Sequence, residues 1–216
     1  DKLFLPAPLL EASLGLYRGM SGGLLAVDIL GSAQLLPTDQ IENITVDEDA
    51  RKIGSLALGL GYGARIGIVR GLGPVPDLSV SVMRRDIPRI TYGDVSSGDD
   101  YSYGVDLHAT NIRVIASKQV AVLDLAAGFG WDKYTGDAII QFRDPITFVL
   151  QPNVPVELSN SRLVGFVNAG VSMSKFRLTG ELGYQGGKDQ GLSTEFEDFD
   201  TTKGKFFAGL GLRVSF

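Results

Sequence analysis

Apolar residues recur at every second position over long stretches of this chain, and that spacing limits what it can fold into. Leu56, Leu58, Leu60, Tyr62, Ala64, Ile66 and Ile68 form one row, interleaved with Ser55, Ala57, Gly59, Gly61, Gly63, Arg65 and Gly67. The same alternation runs through Leu78–Val82, Tyr103–Ala109, Leu123–Trp131, Phe176–Tyr184 and Phe206–Phe216. A strand places alternate side chains on opposite faces, whereas a helix scatters such a row around its circumference.

The pattern predicts eight strands, at about 23–36, 52–69, 76–93, 101–115, 119–131, 161–172, 175–186 and 203–216. They exceed the ~5–6 residues usual in globular strands and reach the ~9–11 needed to cross a bilayer at a tilt. Short connections near 70–75, 116–118 and 173–174 alternate with long ones near 37–51, 94–100, 132–160 and 187–202. This asymmetry suits a closed antiparallel up-and-down transmembrane β-barrel, with tight periplasmic turns and long outer loops. Residues 1–22 form a separate N-terminal segment and 23–216 the barrel. Leu10, Ser13, Leu14 and Tyr17 fit a short helix or plug, which keeps eight strands; Ala12, Leu14 and Leu16 fit a strand, which implies ten. The 132–160 connection carries Ala138–Phe142 and Ile146–Leu150 around Asp144-Pro145, a hairpin above the membrane or two further strands.

Charge placement agrees with that topology. The long connections hold 17 of the 25 acids and, strand ends aside, only Lys133, Arg143 and Lys188 among the bases. Other bases lie at strand ends, where long cationic side chains reach headgroups. A net charge of −5 argues against a nucleic-acid surface. With no Cys and one His, thiol chemistry, cysteine–zinc sites and paired imidazoles are excluded. No run of about 18 apolar residues predicts a membrane-spanning helix, and the start at Asp1 does not read as a signal peptide.

Tyr92, Tyr101, Tyr103, Phe129, Trp131, Tyr184 and Phe206 gather near the outer strand ends, as an aromatic girdle does. A soluble β-sandwich or lipocalin-like barrel would solvate its second face with Lys, Glu and Thr; here that face is rich in Gly, Ala and Ser. Projecting the alternation places Asp28, Arg65, Arg85, Asp106, His108, Asp124, Arg177, Glu181 and Arg213 in the lumen. Apart from His108, acids and arginines balance, which suits an ionic network filling the barrel better than a selective pore of one sign. Glu181 and Arg213 are the best candidates for a direct bridge. His108 shares a face with Asp106, Ser102 and Thr110, but alternation creates such neighbours by default and nothing marks a nucleophile. Gly59-Leu-Gly61-Tyr-Gly63 lacks phosphate-loop spacing. No enzyme activity, cofactor or metal site is expected.

The ending Phe206-Phe-Ala-Gly-Leu-Gly-Leu-Arg-Val-Ser-Phe216 resembles the closing strand of bacterial outer-membrane proteins. That resemblance implies Leu212, Val214 and Phe216 as a signal read by the barrel-assembly machinery. In length and hairpin rhythm the chain looks like the small eight-stranded barrels of the OmpA and OmpX type. More weakly, Ala26–Pro37 after an amphipathic lead is similar to uncharacterised barrels likened to fatty-acid transporters. The expectation is an integral protein of a Gram-negative outer membrane with a structural or surface-interaction role. Its partners are membrane lipid and lipopolysaccharide, with any protein partner meeting the acidic outer loops and no nucleic acid involved. The alternative is a porin-like transporter for small solutes or hydrophobic molecules. Oligomeric state is left open.

Overall fold

The computed structural model of the chain describes residues 9–20, 24–37, 44–46, 52–53, 56–95, 98–144, 146–188 and 203–214. In chain order its strands are β1 (Leu9–Tyr17), β2 (Ala26–Pro37), β3 (Ile44–Val46), β4 (Lys52–Ile53), β5 (Leu56–Val69), β6 (Asp77–Tyr92), β7 (Tyr101–Val120), β8 (Leu123–Phe142), β9 (Val154–Met173), β10 (Phe176–Gln185) and β11 (Lys205–Val214). Among the described residues there is no helix. Nine long strands follow one antiparallel path, β1-β2-β5-β6-β7-β8-β9-β10-β11, while β3 pairs with β6 and β4 with β5. The sheet is strongly curled into an open half-barrel.

Each of the eight expected regions contains a strand, although 52–69 divides between β4 and β5 and the turn expected near 116–118 falls at 121–122. The leading segment is neither helix nor plug: β1 pairs with β2 from Leu9↔Gln34 to Tyr17↔Val27. Pairing sorts Leu10, Ala12 and Leu14 to one face and Glu11, Ser13 and Gly15 to the other, and satisfies the backbone groups along the edge that β1 shares with β2. The path therefore has nine long strands rather than eight, and its odd number sends β1 and β11 in the same direction. Residues 132–160 add no strands of their own and form a hairpin, with Ala138–Phe142 in strand and Ile146–Leu150 outside it. Their ends continue β8 and β9, whose register runs unbroken from Leu123↔Val171 to Ile140↔Val154. β7, β8 and β9 have 20 residues each and extend past β10 and β11, which have ten.

Tight two-residue connections join β7 to β8 and β9 to β10. Ala121 and Ser174 open these turns at φ 55° each, the positive first position of the hairpin turns that follow strand twist. β6 is bulged between Ile87 and Ile90, where Pro88 contributes no ladder N–H.

Register sorts side chains onto two faces. Ser32, Met83, Asn111, Asp132, Val164 and Phe166 are buried and line the inside of the curl. Phe129, Leu163, Val167, Leu178, Leu182 and Leu212 are more than half exposed on the outside, and Leu210 is 89% exposed.

Candidate functional site

The inner face carries a connected set of charged and amide side chains. Arg85 on β6 donates from Nη2 to Glu11 Oε1 on β1 at 2.9 Å and from Nη1 to Asn111 Oδ1 on β7 at 2.5 Å. Asn111 Nδ2 donates to Asp132 Oδ1 on β8 at 2.6 Å. Asp132 also pairs with Arg113 Nη1 at 2.5 Å and accepts from Gln185 Nε2 on β10 at 3.0 Å. Gln185 Nε2 lies 3.1 Å from the Tyr134 hydroxyl as well. Asp132, with a side chain only 4% exposed, is the hub. Burying that carboxylate is tolerable because a cation and two amides replace its water.

Small residues make room for this set. A Cβ on Gly61 would collide with Ser32 Oγ and stand 2.8 Å from Arg85 Cγ, so glycine there lets Arg85 lie across β5 toward Glu11. A Cβ on Gly130 would stand 2.6 Å from Arg113 Cδ. Separate inner-face pairs join Arg65 to Asp28, with Nε to Oδ2 at 2.8 Å, and Arg177 to Asp124 at 3.0 Å. Ser172 Oγ donates to Asp124 and accepts from Arg177 Nε.

Of the residues expected on this face, Asp28, Arg65, Arg85, Asp124, Arg177, Glu181 and Arg213 share it by register. Asp106 and His108 do not. In β7 the apolar row changes face without a bulge: Val105, Leu107 and Ala109 point inward, while Ile112, Val114 and Ala116 point outward. Parity extrapolated from the upper end of β7 therefore fails. The His108 Nδ1 lies 2.7 Å from Asp86 Oδ1 on the outer face, so Asp86 rather than Asp106 is its carboxylate partner. Glu181 and Arg213 do not form the expected bridge, because Glu181 stands opposite Gly209 and Arg213 opposite Arg177.

Glu11, Asn111, Arg113, Asp132, Tyr134 and Gln185 were missed. Extending the β8 alternation from Asp124 reaches Asp132 on the same face, so its signal was present. The reach of Glu11 was not, since it depends on β1 being a strand. A largely open, mainly apolar depression of about 1170 Å³ crosses β7–β11, lined by Asn168, Glu181 and Gly209 together with the outward-row residues Val167, Leu182 and Leu210.

The aromatic residues divide between the faces. Phe129, Tyr184 and Phe206 lie in one outer row with Val114, and the Tyr184 and Phe206 rings are 4.9 Å apart. Trp131 lies one row above them. Tyr103 stands on the same face as Val105, at the far end of β7, and pairs in register with Tyr92. The Tyr92 and Tyr101 rings are 6.1 Å apart. Leu212 and Val214 are in β11; Phe216 lies outside the described residues, as do most of the acidic connections 37–51 and 187–202.

No family model and no curated protein matches this chain.

Above the aliphatic residues, the outer face of β6–β9 becomes polar in layers. Val82, Ile112, Trp131 and Leu163 form one row, and Arg84, Thr110, Lys133 and Ser161 form the next. Asp86, His108, Thr135 and Ser159 follow, then Asp106, Asp137 and Glu157. Past the ends of β8 and β9, the Asp144 carboxyl is held below its ordinary value by the amides of Thr147 and Ile146, which donate to it.

Proposed function

We propose that this chain is an integral outer-membrane β-barrel protein with a structural or surface-interaction role. The observation that carries the reading is the opposition of its two faces. The outside exposes an aliphatic and aromatic band across β1, β2 and β5–β11, while on the inside Arg65, Arg85, Arg113 and Arg177 pair with carboxylates. Soluble monomers rarely expose contiguous apolar patches beyond a few hundred Å², whereas a lipid-facing barrel requires such a band. Strand length supports the same reading, since ten residues suffice for a tilted crossing.

An open sheet edge is not tolerated in hydrocarbon, so the reading requires the edges of β1 and β11 to be covered there. The two strands run in the same direction. Closing one directly on the other gives a parallel seam, and one further antiparallel strand between them gives an all-antiparallel barrel of ten. The ionic set on the inner face favours a filled interior over a conducting one. The open apolar depression along β7–β11 is what favours the second reading, a transporter of small solutes or hydrophobic molecules.

Mixing the purified chain with phosphatidylcholine vesicles tests the membrane reading. The expected product floats with the vesicles, resists urea extraction and migrates faster on a gel unless boiled. A monodisperse, water-soluble protein that ignores the vesicles would overturn it. Planar-bilayer recording separates the two roles: large steady ion-selective channels that shift on Arg85→Ala contradict the filled interior.

A further inference from the structure

The layering on the outer face of β6–β9 puts cations in a defined place. Arg84, Thr110 and Lys133 stand in one register row with Ser161, and Lys188 Nζ donates to Ser161 Oγ at 3.2 Å. The row directly beneath, ~7 Å along the strands, is Val82, Ile112, Trp131 and Leu163. Three cationic side chains and two hydroxyls thus border the apolar band at its upper limit. Arg84 and Asp86 approach at 3.3 Å, but both side chains are 47% exposed. Such a pair is weak and solvated, so Arg84 remains available to an incoming anion. Two rows farther out, Asp106, Asp137 and Glu157 repel anions and set an upper boundary.

We infer that the row of Arg84, Thr110, Lys133, Ser161 and Lys188 binds the phosphate group of an anionic membrane lipid whose acyl chains lie along the apolar band below. The inference rests on the membrane reading above and adds a partner to it. Charge complementarity selects the occupant: a phosphate presents several acceptor oxygens to ammonium, guanidinium and hydroxyl donors, and its chains need the aliphatic row that adjoins them. A free phosphate would have no use for that row.

The chain has one tryptophan, and Trp131 is two residues from Lys133 on the same face. Its fluorescence therefore reports which lipid sits at the row. The experiment folds the protein in phosphatidylcholine vesicles containing either brominated phosphatidylcholine or brominated phosphatidic acid, and measures quenching against mole fraction. Brominated phosphatidic acid is expected to be enriched beside Trp131 relative to brominated phosphatidylcholine. Arg84→Gln and Lys133→Gln should each reduce that enrichment by about fivefold, as expected for loss of one basic residue at a membrane surface. Lys175→Gln, in the turn at the opposite end of the sheet, should leave it unchanged. Equal quenching by the two lipids, or enrichment that survives both substitutions, would overturn the inference while leaving the membrane reading intact. Abolition of the enrichment by inorganic phosphate would assign the row to the free ion and overturn the lipid as its occupant. Quenching by neither lipid would overturn the inference and the membrane reading together.

Discussion

Replacing Arg113 by Met removes the only cation paired with Asp132 among the described residues while keeping most of the side-chain volume. Asp132 is 4% exposed and keeps the amides of Asn111 and Gln185 as donors, but loses its ion pair. A buried ion stripped of its partner costs about 3–5 kcal/mol. Arg84→Met provides the contrast, because the Arg84–Asp86 pair is half-exposed on both sides and such pairs are worth about 0–1 kcal/mol. The sharper expectation concerns the double substitution. Arg113→Met/Asp132→Asn removes both charges and should be more stable than Arg113→Met alone, since no charge is left stranded. Urea unfolding of the detergent-folded protein, followed by circular dichroism in the strand region, measures all three. The reasoning is refuted if Arg113→Met shifts the transition no more than Arg84→Met, or if the double variant is no more stable than Arg113→Met alone.

Gly61→Val should destabilise by about 1–3 kcal/mol through overpacking, because its Cβ would collide with Ser32 and Arg85; adding Arg85→Ala should recover part of the loss, and no recovery in the same urea assay would show that the crowding lies elsewhere. Asp137→Asn should stabilise by about 0.2–1 kcal/mol, since it relieves like charges directly opposite one another at Asp106↔Asp137 and Asp137↔Glu157; an unchanged or lower urea midpoint counts against that repulsion. The amides of Thr147 and Ile146 lower the Asp144 pKa below 3.8. The turn they close is therefore fully supported above that value and loses this support as pH falls through the lowered one. Their NMR shifts should titrate with a midpoint under 3.8, and a midpoint above it would contradict the hydrogen bonding.

Much of the fold was legible because alternation is a local signal. Leu56–Ile68 and Leu123–Trp131 identify themselves as strands without reference to their neighbours. Residues 9–17 did not, because Leu10, Leu14 and Tyr17 satisfy a helical spacing as well as a strand's, and only pairing with β2 decides between them. The inner face was legible where one apolar row persists, as at Asp28, Arg65 and Asp124. It failed at Asp106 and His108 because β7 runs past the apolar band, and beyond Thr110 its inward residues are the apolar ones. Asp132 falls within the 132–160 connection on local spacing for a related reason: its charge beside Lys133 resembles a connection, while the unbroken β8–β9 ladder is a long-range fact. The Glu11–Arg85 contact crosses β2 and β5 and depends on Gly61 and Ser32 being small, which no spacing rule within a single strand reveals.

The outward orientation of the apolar band is tested most directly along β8. The chain contains no cysteine, so a nitroxide attached to one introduced cysteine at a time reports a single position. Scanning residues 123–135 should give a period-two pattern. Leu123, Leu125, Ala127, Phe129 and Trp131 should be accessible to oxygen dissolved in the bilayer, and Asp124, Ala126, Gly128, Gly130 and Asp132 should be shielded from it. At Lys133 and Thr135 the outward positions should become accessible instead to a water-soluble nickel complex. Nickel accessibility at Leu125, Ala127 and Phe129, or equal oxygen accessibility at odd and even positions, would contradict a lipid-facing outer surface.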